Sequence, residues 1–116
     1  MSGVNSVEKN GAIRLCQVKD VLEGNGLQIN LPERPPLAVF KIEGQIFVTD
    51  DTCTHGNASL CEGEIEDGVV ECPFHQGAFE ISTGKAISAP CSVHLKTYQP
   101  ILVDDEVFVN LNETSS

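Results

Sequence analysis

The fold class that the sequence predicts is all-β, and three observations support this prediction. Apolar residues recur in short runs of strand length, and no amphipathic stretch of helical length interrupts them. Glycine, aspartate and proline separate these runs at short intervals, as turns do between antiparallel strands. The chain has 116 residues, which is close to the most common size of a single domain. We therefore expect one all-β domain over residues 1–116.

The clearest local signal is a β-hairpin. Residues 37–42 and 45–49 are predicted to be two strands, and Glu43 and Gly44 lie between them. A two-residue turn needs a left-handed backbone, and glycine accepts it without steric cost. Further strands are predicted at 13–17, 69–71, 78–81, 95–103 and 106–111, with turns at 82–85 and 103–106.

Two segments depart from the strand pattern. Residues 18–23 are predicted to form one short helical turn, with Asp20 as its N-cap and Glu23 three residues later. Residues 53–77 are rich in glycine, cysteine, histidine and acidic residues and show little apolar alternation. We expect loops with a function in this second segment.

Charge and hydropathy limit the classes of partner. Seventeen acidic against seven basic residues give a formal charge of −10, so nucleic acid is excluded, because its affinity comes largely from cations on phosphates. The apolar runs are far shorter than the roughly 20 residues of a membrane span, and residues 1–11 lack the pattern of a signal peptide. We expect a cytoplasmic protein that meets basic patches on its partners, although the acidity could equally serve solubility alone.

Two short motifs concentrate the metal-binding residue types. They are Cys53-Thr-His55 and Cys72-Pro-Phe-His75, and each offers one thiolate and one imidazole from a loop. The five cysteines do not indicate a disulfide scaffold, because the count is odd and the cytoplasm keeps thiols reduced. Zinc accepts two Cys and two His, but zinc fingers usually place both cysteines first. A Rieske [2Fe–2S] centre, in which two His replace two Cys on one iron, is compatible with the alternating order.

The surrounding residues resemble the Rieske ferredoxins of multicomponent aromatic ring-hydroxylating dioxygenase systems, such as those for naphthalene, biphenyl and carbazole. The similarity includes 53–56, 71–75, 77–79, 82–85 and 88–91. It implies a Rieske-type fold of small antiparallel sheets, with a cluster-binding subdomain formed by two ligand loops within about residues 50–91. It also implies one [2Fe–2S] cluster as cofactor. The implied ligands are Cys53 and Cys72 on the inner iron and His55 and His75 on the outer iron.

The resemblance further implies a low reduction potential. Rieske proteins of respiratory complexes carry a disulfide between the ligand loops, whereas the matching positions here are Ala58 and Phe74. Those relatives also carry a Ser and a Tyr that donate hydrogen bonds near the cluster, where this chain has Gly77 and Phe79. Because such hydrogen bonds stabilise the added electron, we predict a potential on the order of −150 mV, the low end of the Rieske range.

The functional class predicted is an electron carrier rather than an enzyme. A mononuclear iron site needs two His and one carboxylate, but only His94 remains after the ligands are assigned. No GxGxxG unit for a nicotinamide or flavin is present. We expect a monomer that takes electrons from a flavin-containing, NAD(P)H-dependent ferredoxin reductase and passes them to a terminal Rieske oxygenase. The alternatives are a Rieske small subunit of a larger redox enzyme such as nitrite reductase, and a zinc-stabilised β module that only binds partners.

The remaining candidate residues are not expected to bind the cluster. Cys16, Cys61 and Cys91 are expected to pack rather than to bind iron, and His94 is expected to be a surface or packing residue. An acidic run could help to dock a basic partner, or it could simply be solvated. Its members are Glu62, Glu64, Glu66, Asp67 and Glu71.

Overall fold

The computed structural model describes residues 12–32, 34–53, 58–73, 77–88 and 93–111. Within these ranges the chain forms short strands and two 3-10 helices, so the all-β prediction is confirmed. The strands are β1 (Ala12–Gln17), β2 (Gly26–Ile29), β3 (Leu37–Ile42), β4 (Gln45–Asp50), β5 (Ile65–Glu66), β6 (Val69–Glu71), β7 (Ala78–Glu80), β8 (Ala86–Ser88), β9 (Thr97–Tyr98), β10 (Ile101–Val103) and β11 (Glu106–Asn110), and the 3-10 helices are Val18–Asp20 and Leu60–Glu62.

The strands form three small antiparallel sheets. The first has the order β1-β11-β10, the second β2-β3-β4-β9 and the third β5-β6-β7-β8. This agrees with the Rieske-type architecture that the sequence implies. In the part of the chain described here, no helix has the length and apolar character needed to cross a bilayer.

The predicted tight turns are present, and their backbone explains their composition. Glu43 and Gly44 have φ angles of 51° and 79°, as expected of a type I′ turn between β3 and β4. Asp104 and Asp105 between β10 and β11 have φ angles of 51° and 67°. Aspartate tolerates this left-handed region better than most side chains do, so the pair can replace the usual glycine.

One predicted strand is wrong in its extent. Residues 95–103 form two strands in different sheets, β9 beside β4 and β10 beside β11. The break falls at Gln99 and Pro100, because proline has no N–H to donate to a strand ladder. The short strands β2, β5 and β8 are absent from the prediction. β5 and β8 have only 2 and 3 residues, which is too short for an alternation to show, whereas β2 does alternate through Leu27, Gln28 and Ile29.

The predicted helical turn is shorter than expected, and its cap is different. It spans Val18–Asp20, and Gln17 rather than Asp20 precedes it as the N-cap. The Asp20 carboxylate instead accepts a 3.0 Å hydrogen bond from the Gln17 backbone N–H. Asp20 therefore reaches back to the cap from the third helical position, as an acidic residue does in a capping box.

Two apolar cores lie on opposite faces of β3. Leu37 and Val39 belong to one core, while Ala38 and Phe40 belong to the other, and all four side chains are fully buried. This explains why the run from 37 to 40 is continuously apolar. The core that contains Ala38 and Phe40, called the cluster-side core below, also contains the two cysteines discussed next.

Candidate metal centre

Cys53 and Cys72 begin two loops that close in the same way. The Cys53 N–H donates to the Ala58 carbonyl at 2.9 Å, and the Cys72 N–H donates to the Gly77 carbonyl at 2.7 Å. An antiparallel pair lies just outside each loop, Thr52 with Ser59 and Glu71 with Ala78. The two loops therefore have the same length and register at their base, although their sequences differ.

The two cysteine side chains share one buried environment. Each is 2% exposed, and both belong to the cluster-side core together with Ala58 and Phe79. This core shields both sulfur atoms from water. His55 and His75, with Phe74, lie outside the residues that the structure describes, so their assignment stays a prediction.

The first loop is fixed by Asp51. Its backbone N–H donates to the Pro36 carbonyl at 3.1 Å, and its own carbonyl accepts from the Leu60 N–H at 2.8 Å. Its carboxylate accepts from the Cys61 N–H at 3.0 Å and from Gln28 Nε2 at 2.8 Å. The bonds from Leu60 and Cys61 join the residue that precedes the loop to the second 3-10 helix, which follows the loop.

The second loop rests on Gly63, at the end of that helix. The Glu71 N–H donates to the Glu64 carbonyl at 2.9 Å, which brings the strand before Cys72 against the helix. A Cβ atom on Gly63 would lie 1.9 Å from the Glu71 carbonyl oxygen, a distance that no real structure tolerates. Only glycine therefore allows this close approach, and one short helix supports both loops.

The other described candidates behave as packing or surface residues. Burial, followed by a hydrogen bond to Asp51, raises the pKa of the Cys61 thiol, so Cys61 stays protonated at neutral pH and is a poor metal ligand. Burial and the nearby Asp20 raise the pKa of Cys16 to about 11, and Cys16 lies in the core as predicted. His94 is exposed, and Cys91 lies outside the described residues.

Comparison with known proteins identifies the family. Residues 11–99 match the family model of the Rieske [2Fe-2S] domain. The chain belongs to the Rieske family. It is 41% identical to the ferredoxin CarAc of Metapseudomonas resinovorans. The match extends over 97 residues and covers 84% of this chain and 91% of that protein.

Solved structures support the same grouping. A ferredoxin of Sphingomonas yanoikuyae B1 matches with a TM-score of 0.81 at 43% identity, over 84% of this chain and 96% of the other. A chain from a complex of reduced oxygenase and oxidized ferredoxin in carbazole 1,9a-dioxygenase matches with a TM-score of 0.84 at 38% identity, over 97% and 99% of the two chains. The chain is therefore an electron carrier of the ferredoxin type, and its cofactor is a Rieske-type [2Fe–2S] cluster.

The described residues fit this cofactor. A Rieske cluster needs two thiolates on one iron, and Cys53 and Cys72 are two buried cysteines at equivalent positions of two matching loops. Sequence reasoning did not identify Asp51 and Gly63 as residues that support these loops. The local pattern of residue types does not mark them. Asp51 acts through hydrogen bonds to residues that are distant in sequence, and Gly63 acts through a close approach of two backbone segments.

Proposed function

We propose that this chain carries single electrons from an NAD(P)H-dependent flavoprotein reductase to the terminal oxygenase of an aromatic ring-hydroxylating dioxygenase system. This role is supported by a similar chain of known structure, which comes from a complex of oxygenase and ferredoxin in carbazole 1,9a-dioxygenase. The whole chain, residues 1–116, would act as one domain with its cluster-binding region at about 50–91. It would work in the cytoplasm as a monomer.

The proposed ligands are Cys53 and Cys72 for one iron, with His55 and His75 for the other. When bound, a Rieske cluster takes up and releases one electron at a time. The cysteines hold their thiolates inside the cluster-side core, where water cannot reach the sulfur atoms. The histidines follow their cysteines within the same loops, and imidazole edges at a loop tip would give the electron a short route to a partner.

The observation that supports the ligand assignment best is the matching closure of the two loops. Cys53 and Cys72 occupy equivalent loop positions, because each donates its N–H to the carbonyl five residues later, at 2.9 and 2.7 Å. Unrelated packing cysteines have no reason to share a register. The same-core burial of both sulfur atoms agrees with this interpretation.

Low-temperature EPR of the dithionite-reduced protein, with iron and sulfide counted on the same sample, tests the function. A Rieske-type signal with two irons and two sulfides per chain is the expected result. A colourless, EPR-silent sample that contains one zinc would instead indicate a binding module and contradict the proposal.

The reduction potential gives a separate prediction, centred on Phe79. This side chain is fully buried in the core that holds both cysteines, and its ring has no hydroxyl to donate. We expect a midpoint on the order of −150 mV for the natural chain. We expect a more positive midpoint for Phe79→Tyr, because the new hydroxyl adds a hydrogen-bond donor to the core that holds the thiolates. Protein-film voltammetry measures both values.

Phe47→Tyr is a matched control for that substitution. Phe47 lies in β4 and packs, partly buried, against the same core, but it is not a neighbour of either cysteine in sequence. The Phe47→Tyr substitution should leave the midpoint unchanged. A natural midpoint well above zero would contradict the argument from Phe79.

The acidic run supplies a prediction about encounter with the reductase. Its five members, Glu62, Glu64, Glu66, Asp67 and Glu71, are all exposed. Steering by exposed charges weakens with salt, so the rate constant for reduction by a purified flavoprotein ferredoxin reductase should fall roughly tenfold between low and high ionic strength. Stopped-flow absorbance measures this rate.

Charge-neutral variants can locate the steering surface. Glu64→Gln with Glu66→Gln should lower the rate at low salt. Asp104→Asn, at an exposed turn in a different sheet, should change it much less. A rate that does not respond to salt would show that the acidic run is only a solvated face.

The second candidate function is a Rieske small subunit of a larger redox enzyme such as nitrite reductase. One observation favours it: β10 is an edge strand in which Ile101, Leu102 and Val103 are 39, 54 and 48% exposed. Exposed apolar edges are unusual in proteins that act alone. A subunit would stay bound to its enzyme through gel filtration, whereas a carrier would separate from its partners.

A further inference from the structure

Asp51 is a buried carboxylate close to a proposed ligand. Asp51 is 1% exposed and Cys53 is 2% exposed, while Thr52 between them is more accessible. Both side chains are therefore buried. Their Cα atoms lie within about 7 Å of each other, because two residues of chain span at most roughly 3.6 Å each.

Among the residues that the structure describes, the partners of the Asp51 carboxylate are neutral. They are the Gln28 side-chain amide at 2.8 Å, the Cys61 backbone N–H at 3.0 Å and the Cys61 thiol. All three groups donate, which is the environment of a carboxylate that only accepts. Among the described residues the ion pairs are Arg14 with Glu106 and Arg34 with Asp50, and neither involves Asp51.

A fixed negative charge of this kind acts on a nearby redox centre. Adding an electron places like charge near like charge, and the interaction is stronger in a buried environment than in water. Salt screens exposed charges well and buried charges much less. The buried position of Asp51 should therefore make its influence both large and insensitive to ionic strength.

We propose that Asp51 is a positioning residue that also sets the potential: it fixes the first ligand loop to the second 3-10 helix, and its buried charge lowers the reduction potential of the cluster. This inference rests on the proposed function, in which Cys53 is a ligand. It adds an electrostatic cause of low potential to the lack of hydroxyl donors at Gly77 and Phe79.

The first test is Asp51→Asn in the cluster-loaded protein. Asparagine keeps the size and one acceptor oxygen for the Cys61 N–H, but it removes the charge. We expect the equilibrium constant for reduction to rise at least tenfold, which for one electron is a positive shift of about 59 mV. The shift should be the same at low and high salt. Asp51→Glu keeps the charge, so it should retain much of the low potential.

Glu71→Gln is the matched control. Glu71 directly precedes Cys72, so it is even closer in sequence to a proposed ligand, but its side chain is exposed. Its loss should shift the midpoint much less than Asp51→Asn does, and high salt should remove the difference from the natural chain. An equal, salt-resistant shift in both variants would overturn the argument from burial.

A second pair of variants leaves Asp51 in place. Gln28 is an exposed residue whose amide reaches the carboxylate, so Gln28→Lys should pair the charge and raise the midpoint. Gln28→Met has a similar length without charge and should not raise it. If Asp51→Asn fails to retain a cluster, the Gln28 pair decides the question.

The outcomes separate this inference from the proposed function. An unshifted midpoint in Asp51→Asn and in Gln28→Lys, with a normal Rieske EPR signal, would overturn the role of Asp51 alone. A shift of equal size in Gln28→Lys and Gln28→Met would also overturn it, because packing rather than charge would be the cause. Absence of the Rieske signal from the natural chain would instead refute the proposed function.

Discussion

His75→Ala is expected to abolish the Rieske EPR signal completely, and His55→Ala is expected to do the same. In the proposed assignment each histidine supplies one of the two imidazoles on one iron. A methyl group cannot replace that bond, and neither loop has a second histidine. EPR of the reduced protein, together with visible absorption and iron content, measures the loss.

The controls for this prediction come from residues of the same type. His94 is exposed and belongs to neither loop, so His94→Ala should retain the full signal. Cys61→Ser should also retain it, because the Cys61 thiol faces Asp51 rather than a proposed ligand. A Rieske signal that survives either His75→Ala or His55→Ala would show that the ligand assignment is wrong.

The longer strands and the turns at 43–44 and 103–106 could be predicted because their signals are local. The hairpin at Glu43 and Gly44 follows from two apolar runs and the left-handed backbone of a two-residue turn. The error at 95–103 has a different cause. Apolar residues lie on both sides of Pro100, but the chain changes sheets there, and only tertiary pairing determines which sheet each half joins.

The candidate site could be predicted only where the residue types themselves indicate metal binding. Cysteine and histidine are common metal ligands, so the two motifs can be recognised in the sequence. Asp51 and Gly63 are ordinary residues in composition. Their roles depend on the Cys61 N–H and the Glu71 carbonyl, which reach them only after the loops and the 3-10 helix have assembled.

Gly63→Ala is expected to destabilise the fold by about 3 kcal/mol, the upper part of the range for forcing an extra group into a packed site. The new Cβ would lie 1.9 Å from the Glu71 carbonyl oxygen and 3.0 Å from the carbonyl carbon. Backbone cannot rotate aside as a flexible side chain can, so the strand that leads to Cys72 must move. Circular dichroism should show a midpoint of thermal unfolding lowered by roughly 10 °C or more, and the cluster should be lost earlier during heating.

Gly68→Ala separates this contact from the general cost of replacing a glycine. Gly68 has a φ of +77° and nothing within 4 Å of its would-be Cβ, so its substitution introduces backbone strain of about 1 kcal/mol without a clash. Gly63 has the ordinary φ of −84°, so its substitution introduces the clash without the strain. Gly63→Ala should therefore be the more damaging of the two, and it should also weaken retention of the cluster, which Gly68→Ala should not. Equal stability of the two variants would mean that the second loop does not depend on its close approach to the 3-10 helix.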